Sequence, residues 1–387
     1  MRNSQNSAPR LLADIFRTVS VEQRGAMYSA YPSLKSARWI LPSAPIHRRS
    51  GIAAYRPLHW SGRALKALVA SGLLRGEPAP GATEPLERLR RFIGDKIDIS
   101  DCALSLAVGT PGAYQKYALR IMCDDGTPIG YGKLADRESS KLKIVAEHAA
   151  LTRLSSISAL EGQVPKVLFF GEMDDCLMIV TTAGPDKPGP PAFSNLHVDF
   201  LRTLHSSSRV EKPLWMSDFW AIIRANLDYL STRAPPSWLD RLSQARQLIE
   251  SELQGRTATL STIHRDFCPW NTCSFSDKLF VFDWEDSAAE APPLHDVIHF
   301  HAIQHALAGR PFDLGVRIIE TGAMELGVPL GGTVDAYALL LLYFLDIVSY
   351  YLRAAIERPQ DGDSIVLTWA GRELDTRLGA FRSALHG

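Results

Sequence analysis

Cysteine is scarce in this chain, and several signatures that would fix its chemistry at once are missing. Cys102, Cys123, Cys176, Cys268 and Cys273 are odd in number and form no C-x-x-C pair. Spacing therefore implies neither a disulfide framework nor a zinc site. No secretory signal is visible in Met1 to Ser20, where Asp14 and Arg17 interrupt any apolar core. A cytoplasmic location with free thiols is the expectation. The longest apolar run, Ala336 to Leu345, stops at Asp346, well short of a membrane span, and reads as a buried helix. There is no G-x-x-x-x-G-K-[ST], which removes the P-loop route to ATP, and no G-x-S-x-G elbow for serine-hydrolase chemistry. Gly130-Tyr131-Gly132-Lys133-Leu134-Ala135 spells a dinucleotide fingerprint, but it lies within a hairpin strand rather than at a strand-to-helix turn, and is excluded. Net charge is zero, so no polyelectrolyte partner is implied and no nucleic acid is expected.

What is present is a soluble-protein composition, 46% apolar and 22% charged, over 387 residues. Charge is unevenly placed. Residues 1–75 hold 12 Lys and Arg against 2 acids, so of the 42 of each sign the remainder carries 30 basic and 40 acidic. That front section also holds Tyr28, Tyr31, Trp39, Tyr55 and Trp60 around Arg38, Arg48, Arg49 and Arg56. Such a mixture could grip nucleic acid, an anionic sugar or a lipid head group. The reading favoured here is plainer: +10 against −10 makes the section an electrostatic cover, separable at the Gly76–Pro85 linker.

The most informative stretch is His264-Arg265-Asp266-Phe267-Cys268-Pro269-Trp270-Asn271, followed by Phe282-Asp283-Trp284-Glu285. It matches the phosphoryl-transfer loop H-R-D-x-x-x-x-N, in which the Asp receives the acceptor hydroxyl's proton and the Asn holds Mg²⁺. Thr272–Phe275 and Leu279–Phe282 read as a hairpin turning at Ser276-Asp277-Lys278. Its return brings Asp283 back beside Asn271, as two ligands of one ion require.

These residues resemble the aminoglycoside phosphotransferase and choline kinase-like superfamily, whose loop runs His-Gly-Asp-x-x-Pro-x-Asn and whose second motif is Asp-Trp-Glu or Asp-Phe-Glu. Arg265 departs from the commoner Gly. Protein kinases share His-Arg-Asp, but Glu285 stands where their Asp-Phe-Gly has Gly, and no Ala-Pro-Glu follows. Pro292-Pro293-Leu294-His295-Asp296-Val297 is similar to the family's Asp-Pro-x-x-Asp-Leu, and the resemblance implies that Asp296 braces the loop. It spans roughly residues 100 to 355.

The implied fold is α+β and protein-kinase-like, two-lobed, with ATP bound between lobes. Residues 1–85 are an N-terminal extension and linker, 86–183 a small β-rich N-lobe and 184–387 a larger α-helical C-lobe. Tyr117–Met122, Ile129–Leu134, Val167–Phe170 and Cys176–Val180 read as strands. Lys141–Leu154 reads as a helix with Leu142, Val145, Ala149 and Leu154 on one side. Gly184 to Pro191 reads as a Pro/Gly hinge, and the rest as helices, among them 198–204, 238–253 and 365–385.

Asp266 is then the catalytic base, and Asn271 and Asp283 hold Mg²⁺. Lys133 contacts the ATP phosphates and Glu147 orients it. Gly109 and Gly112 belong to the phosphate-covering loop, and the strand end at Thr182 and Ala183 offers backbone groups to adenine. His295, His299, His301 and His305 have i, i+4 spacings, but the step from 299 to 301 is about 200° on a helix. Packing and support of the loop fit them better than one metal site, and Cys268 and Cys273 are small filler. The expected partner is a small molecule with a hydroxyl group. Asp346, Tyr343, Tyr350 and Glu320 are candidates for a cation-accepting pocket, and equally for helix packing. A non-catalytic nucleotide-binding pseudokinase and an anionic-glycan binder are the alternatives. The oligomeric state stays open.

Overall fold

The computed structural model describes residues 11–15, 27–53, 55, 60–109, 114–253, 255–357 and 364–386. It divides into two compact units, residues 1–152 with 165–184 and residues 153–164 with 185–387.

The first unit is built on one antiparallel sheet of eight strands. These are β1 (Tyr28–Tyr31), β2 (Trp39–Pro42), β3 (Glu77–Pro78), β4 (Ala103–Val108), β5 (Tyr117–Met122), β6 (Pro128–Ala135), β7 (Val167–Met173) and β8 (Cys176–Thr182), in the order β3-β1-β2-β4-β5-β6-β8-β7. Its helices are α1 (Leu11–Ile15), α2 (Pro45–Ala53), α3 (Trp60–Ser71), α4 (Pro80–Ile97) and α5 (Glu138–Ser155). Alternation along β4, β5 and β6 turns Leu104, Leu106, Leu119, Ile121 and Leu134 into a core shared with Leu86, Leu89 and Ile93 of α4.

The front section is not a separable cover. β1 pairs with β2 and β3, and β2 continues the sheet onto β4 through Trp39↔Ala107 and Ile40↔Leu106. Leu11, Tyr28, Ala30, Ile40, Ala79 and Ala82 are buried in the same core as β4 to β8. The stretch expected as a linker is itself β3 and the start of α4, which Pro80 opens at a position where its missing N–H is harmless. Nor do the aromatics form a surface grip. Tyr31 and Trp39 are buried with Leu41, Ile52 and Val69, and Trp39 packs on Tyr55 at 4.8 Å between ring centroids. Trp60 is exposed, and Arg56 lies outside the described residues.

The second unit is mostly helical, with α6 (Asn195–Ser208), α7 (Asp218–Leu230), α8 (Pro236–Leu253), α9 (His295–Ala308), α10 (Gly315–Leu326), α11 (Thr333–Glu357) and α12 (Ile365–His386). Strand β10 (Thr257–Ile263) lies between β9 (Val210–Pro213) and β13 (Ala288–Ala291), and β11 (Thr272–Phe275) pairs with β12 (Lys278–Val281). By length and composition α11 is apolar enough to cross a membrane. Most of it from Ala336 to Ser349 is nevertheless buried, and the run expected as a core helix is its middle.

The Pro/Gly stretch is more than a hinge. Lys187 and Gly189 bond to the backbone of β11, at 2.9 Å to Ser274 and 3.0 Å to Thr272. A Cβ on Gly189 would collide with the Thr272 side chain, so this approach requires glycine.

Candidate active site

Strand β10 is buried at its C-terminal end and delivers His264, Arg265 and Asp266 to a loop that Pro269 turns into one 3₁₀ turn ending at Asn271. The loop is braced from α9. Asp296, in that helix's first turn, accepts the backbone N–H of His264 at 2.7 Å and of Arg265 at 2.8 Å. Burial alone would push the Asp296 carboxyl up, but the adjacent His295 and His264, whose backbone N–H donates to it, outweigh burial and hold it low.

Asp266 and Asn271 face each other. Asn271 Nδ2 donates to Asp266 Oδ2 at 2.8 Å and to the Asp266 carbonyl at 3.0 Å. Both amide protons being committed, Asn271 has only its oxygen to offer a cation. The hairpin closes as its sequence suggests, with Thr272↔Val281 in register and the Phe282 N–H donating to the Asn271 carbonyl at 3.1 Å. The next residue, Asp283, adopts φ +71°, a left-handed conformation that Asp tolerates better than most residues. Trp284 behind it is buried and donates from Nε1 to the Val281 carbonyl at 2.9 Å. His264 supports this return, its Nε2 lying 2.8 Å from the Phe282 carbonyl. Carboxylate oxygens of Asp283 and Glu285 lie within 4.8 Å of each other. The second unit thus presents an amide oxygen and two carboxylates, the hard oxygen donors Mg²⁺ prefers.

Arg265 explains its departure from the family's glycine. Its φ of +68° is the left-handed conformation glycine would take without strain. The side chain is buried and reaches Asp346 of α11 with both Nε and Nη2, at 2.9 and 2.5 Å. His295 Nε2 stands 3.1 Å from the same carboxylate. Burial would raise the Asp346 carboxyl, but Arg265 and His295 overcome this and hold it well below the usual carboxylate range. Asp346 is therefore no open cation pocket. Tyr343 is likewise buried, its hydroxyl 3.2 Å from His299 Nδ1. The Tyr350 ring packs 5.4 Å from the Arg265 guanidinium carbon, and Glu320 is exposed on α10.

The histidines of α9 divide as their spacing implies. His295 and His299 face the loop and α11, with His299 Nε2 3.2 Å from Asp266 Oδ1. His301 packs near Phe193, and His305 bonds to the Pro311 carbonyl. Cys268 and Cys273 are buried and free.

In the first unit, Lys133 on β6 and Glu147 on α5 form an ion pair at 2.6 Å. Glu147 is buried, whereas the neighbouring His148 stacks on Phe170 at 3.9 Å and Glu138 is exposed. The expected inner face of α5 is corrected. Leu142, Val145 and Ala149 are exposed, and the buried stripe is Ser140, Ile144, Glu147, Leu151 and Leu154. A charged residue on that stripe dilutes its apolar period, which is why the pattern pointed to the wrong side.

At the end of β8, the N–H of Thr182 donates to the Lys166 carbonyl and that of Ala183 to the Ile129 carbonyl. Those donors are committed within the unit. Gly109 donates to the Lys116 carbonyl at 2.9 Å, and a Cβ there would meet that oxygen at 2.4 Å. Gly112 lies outside the described residues.

Comparison with known proteins follows from this arrangement. The model of the phosphotransferase enzyme family matches residues 107–317, more than half of the chain, and the chain belongs to that family. At that level it is a phosphotransferase-family protein. Among solved structures, a thermostable variant of aminoglycoside phosphotransferase APH(4)-Ia in complex with AMP-PNP and hygromycin B is 16% identical, with TM-score 0.53, covering 75% of this chain and 97% of that one. APH(4)-Ia itself is 15% identical, with TM-score 0.50 and coverages of 76% and 98%. A choline/ethanolamine kinase family protein from Mesorhizobium loti is 13% identical, with TM-score 0.48 and coverages of 78% and 95%. The likeness to APH(4)-Ia defines the fold as protein-kinase-like. No curated protein matches the chain.

Proposed function

We propose that this protein transfers the γ-phosphoryl group of Mg·ATP to a hydroxyl of a small molecule. The observation that carries the reading is the ordered set on one loop and hairpin. Asp266 is fixed by Asn271, and Asp283 is returned beside Asn271 by the Phe282 backbone bond. Asp266 orients the acceptor hydroxyl and takes its proton as the oxygen attacks. Lys133, held by Glu147, carries its ammonium towards the phosphates. Asn271 through its amide oxygen and Asp283 through its carboxylate are the residues that would hold magnesium, whose charge would neutralise the nucleotide phosphates. Little covalent help is needed for this reaction, so positioning and charge complementarity carry most of the acceleration.

Without the cation, Asp283 would repel nucleotide, which gives the test. Asp283→Asn is expected to weaken magnesium-dependent ATP binding and abolish transfer, while metal-free nucleotide binding is strengthened because the repelling charge is gone. Titrating nucleotide with and without Mg²⁺ in wild type and variant reads this out. Identical magnesium dependence in both would remove Asp283 as a ligand and the reading's main support. Hygromycin B, bound by the structural neighbour, is the first acceptor to test, followed by amino-alcohols and sugars, each by acceptor-dependent ATP consumption.

A further inference from the structure

Both carboxylate oxygens of Asp266 are engaged from inside the second unit, only one of them by Asn271. The other, Oδ1, faces His299 Nε2 at 3.2 Å, and His299 Nδ1 lies 3.2 Å from the Tyr343 hydroxyl. His299 and Tyr343 are each 2% exposed, while the Asp266 side chain is 39% exposed. The imidazole is held on its faces and edges as well. It stacks with His295 at 6.3 Å and 9° between planes, and meets the Tyr343 ring at 6.0 Å and 64°.

Hydrogen-bond polarity along this chain is dictated by chemistry. An ionised carboxylate only accepts, so Nε2 carries the proton. Burial, together with the nearby Tyr351, Asp346 and Asp266, raises the Tyr343 hydroxyl well above its ordinary range and keeps it protonated. In a neutral imidazole Nδ1 is then the acceptor, and the bonds run from Tyr343 O–H to Nδ1 and from Nε2–H to Asp266 Oδ1. The tautomer is set by the Asp266 carboxylate, which can only accept, and the Tyr343 hydroxyl donates to the nitrogen thus left as acceptor.

Resting on the phosphotransferase reading, we propose that His299, held in place by the Tyr343 hydroxyl, is a positioning residue for the Asp266 base. The torsion that rotates a carboxylate is broad when nothing restrains it. Asn271 restrains one oxygen and His299 the other, which fixes the carboxylate plane and leaves lone pairs on its exposed side for the acceptor hydroxyl. The hydroxyl's proton ends on Asp266, and His299 keeps its own throughout. A displacement of about 1 Å in such a group costs on the order of 10²-fold in rate. Placing a buried histidine here therefore matters to turnover more than to affinity.

Two measurements on the full chain test this. In the first, ¹⁵N spectra of histidine-labelled protein at about pH 8, above the ordinary histidine range, should show His299 as the single Nε2–H tautomer. Tyr343→Phe should keep that tautomer but shift the Nδ1 resonance, because this nitrogen loses its hydrogen-bond donor. An Nδ1–H tautomer in the wild type overturns the proposal, as does a spectrum unmoved by Tyr343→Phe. The second measures phosphate release from Mg·ATP with water as acceptor. His299→Ala should lower kcat about 10–100-fold with the KM for Mg·ATP within about threefold, the size expected for an outer partner. His299→Gln, which keeps an N–H near the Nε2 position, should recover most of that loss. Unchanged kcat in His299→Ala, or no recovery in His299→Gln, overturns the role. If His299→Ala does not fold, His299→Gln and Tyr343→Phe decide, each expected between wild type and full loss. Should the wild type release no phosphate with any acceptor, the phosphotransferase reading fails and the catalytic part with it. The tautomer result would then stand as a purely structural bond.

Discussion

Asp266 and Asp346 show two opposite uses of a carboxylate in one unit. Asp266 keeps an exposed side for chemistry, and Asp266→Asn should leave nucleotide affinity nearly intact while lowering turnover by about 10²–10⁴-fold, the usual worth of a positioned base. Steady-state kinetics beside a direct nucleotide titration checks this, and an unchanged kcat would remove Asp266 from its role. Asp346 is wholly buried and neutralises Arg265. Removing one partner of such a pair strands the other charge, at about 3–5 kcal/mol. Asp346→Asn should therefore cost stability on that order. Arg265→Gly should cost less, because His295 still faces Asp346 and glycine relieves a left-handed backbone worth roughly 1–3 kcal/mol. Urea unfolding of both variants gives the ranking, and a larger loss in Arg265→Gly would contradict it.

Elements formed by local pattern were legible in the sequence, and those fixed by long-range pairing were not. The β11–β12 hairpin, β5, β6, β8 and the core segment of α11 follow from alternation, turn residues and apolar runs. The Asp296 brace was implied by the family resemblance and is present. Two elements escaped. The inner face of α5 carries Glu147, whose place there depends on Lys133 fourteen residues earlier, so no periodicity could show it. The front strands are short, and β2 reaches β4 only across some sixty residues, which left charge as the loudest local signal. Charge then suggested a cover where there is a sheet. The Arg265–Asp346 pair had one sequence cue, an arginine where the family has glycine, but nothing in the letters names its partner. A chain beginning near Leu86 is accordingly expected not to fold. It lacks Tyr28, Ala30, Ile40, Ala79 and Ala82 from the core and exposes the β4 edge. A fully buried large apolar side chain is worth about 1.5–3 kcal/mol, against a total stability of about 5–15 kcal/mol. Cooperative thermal unfolding of that shortened chain would show the front section to be dispensable after all.

Across the whole molecule, buried histidines set the response to acid. Burial, and for His301 the nearby His305, lowers both His197 and His301 to about 4. In the unfolded chain they titrate near 6.5. Below about 6.5 the unfolded state therefore binds protons that the folded state does not. Stability that is complete above that pH should fall as pH drops towards about 4. His295 has the opposite sign. Its value is raised, because the Asp346 carboxylate bonded to it and the nearby Asp296 carboxylate outweigh burial, so its contribution is complete below about 6.5 and declines as pH rises through the raised value. The depressed Asp296 and Asp346 hold their contributions until the medium is more acid than the ordinary carboxylate range, about 3.9. The melting midpoint should thus slope downward from about pH 6.5 to about pH 4 before the carboxylates contribute. Scanning fluorimetry across that range measures it, and a flat midpoint would mean that His197 and His301 titrate normally.

Protein kinases often leave such a loop waiting for a phosphate, added by another enzyme and gripped by arginine. Here the anion is already inside the chain, contributed by α11 and closed onto Arg265 as the second unit folds. Freshly made protein should reach its full rate without a lag, and treatment with a phosphatase should leave that rate unchanged.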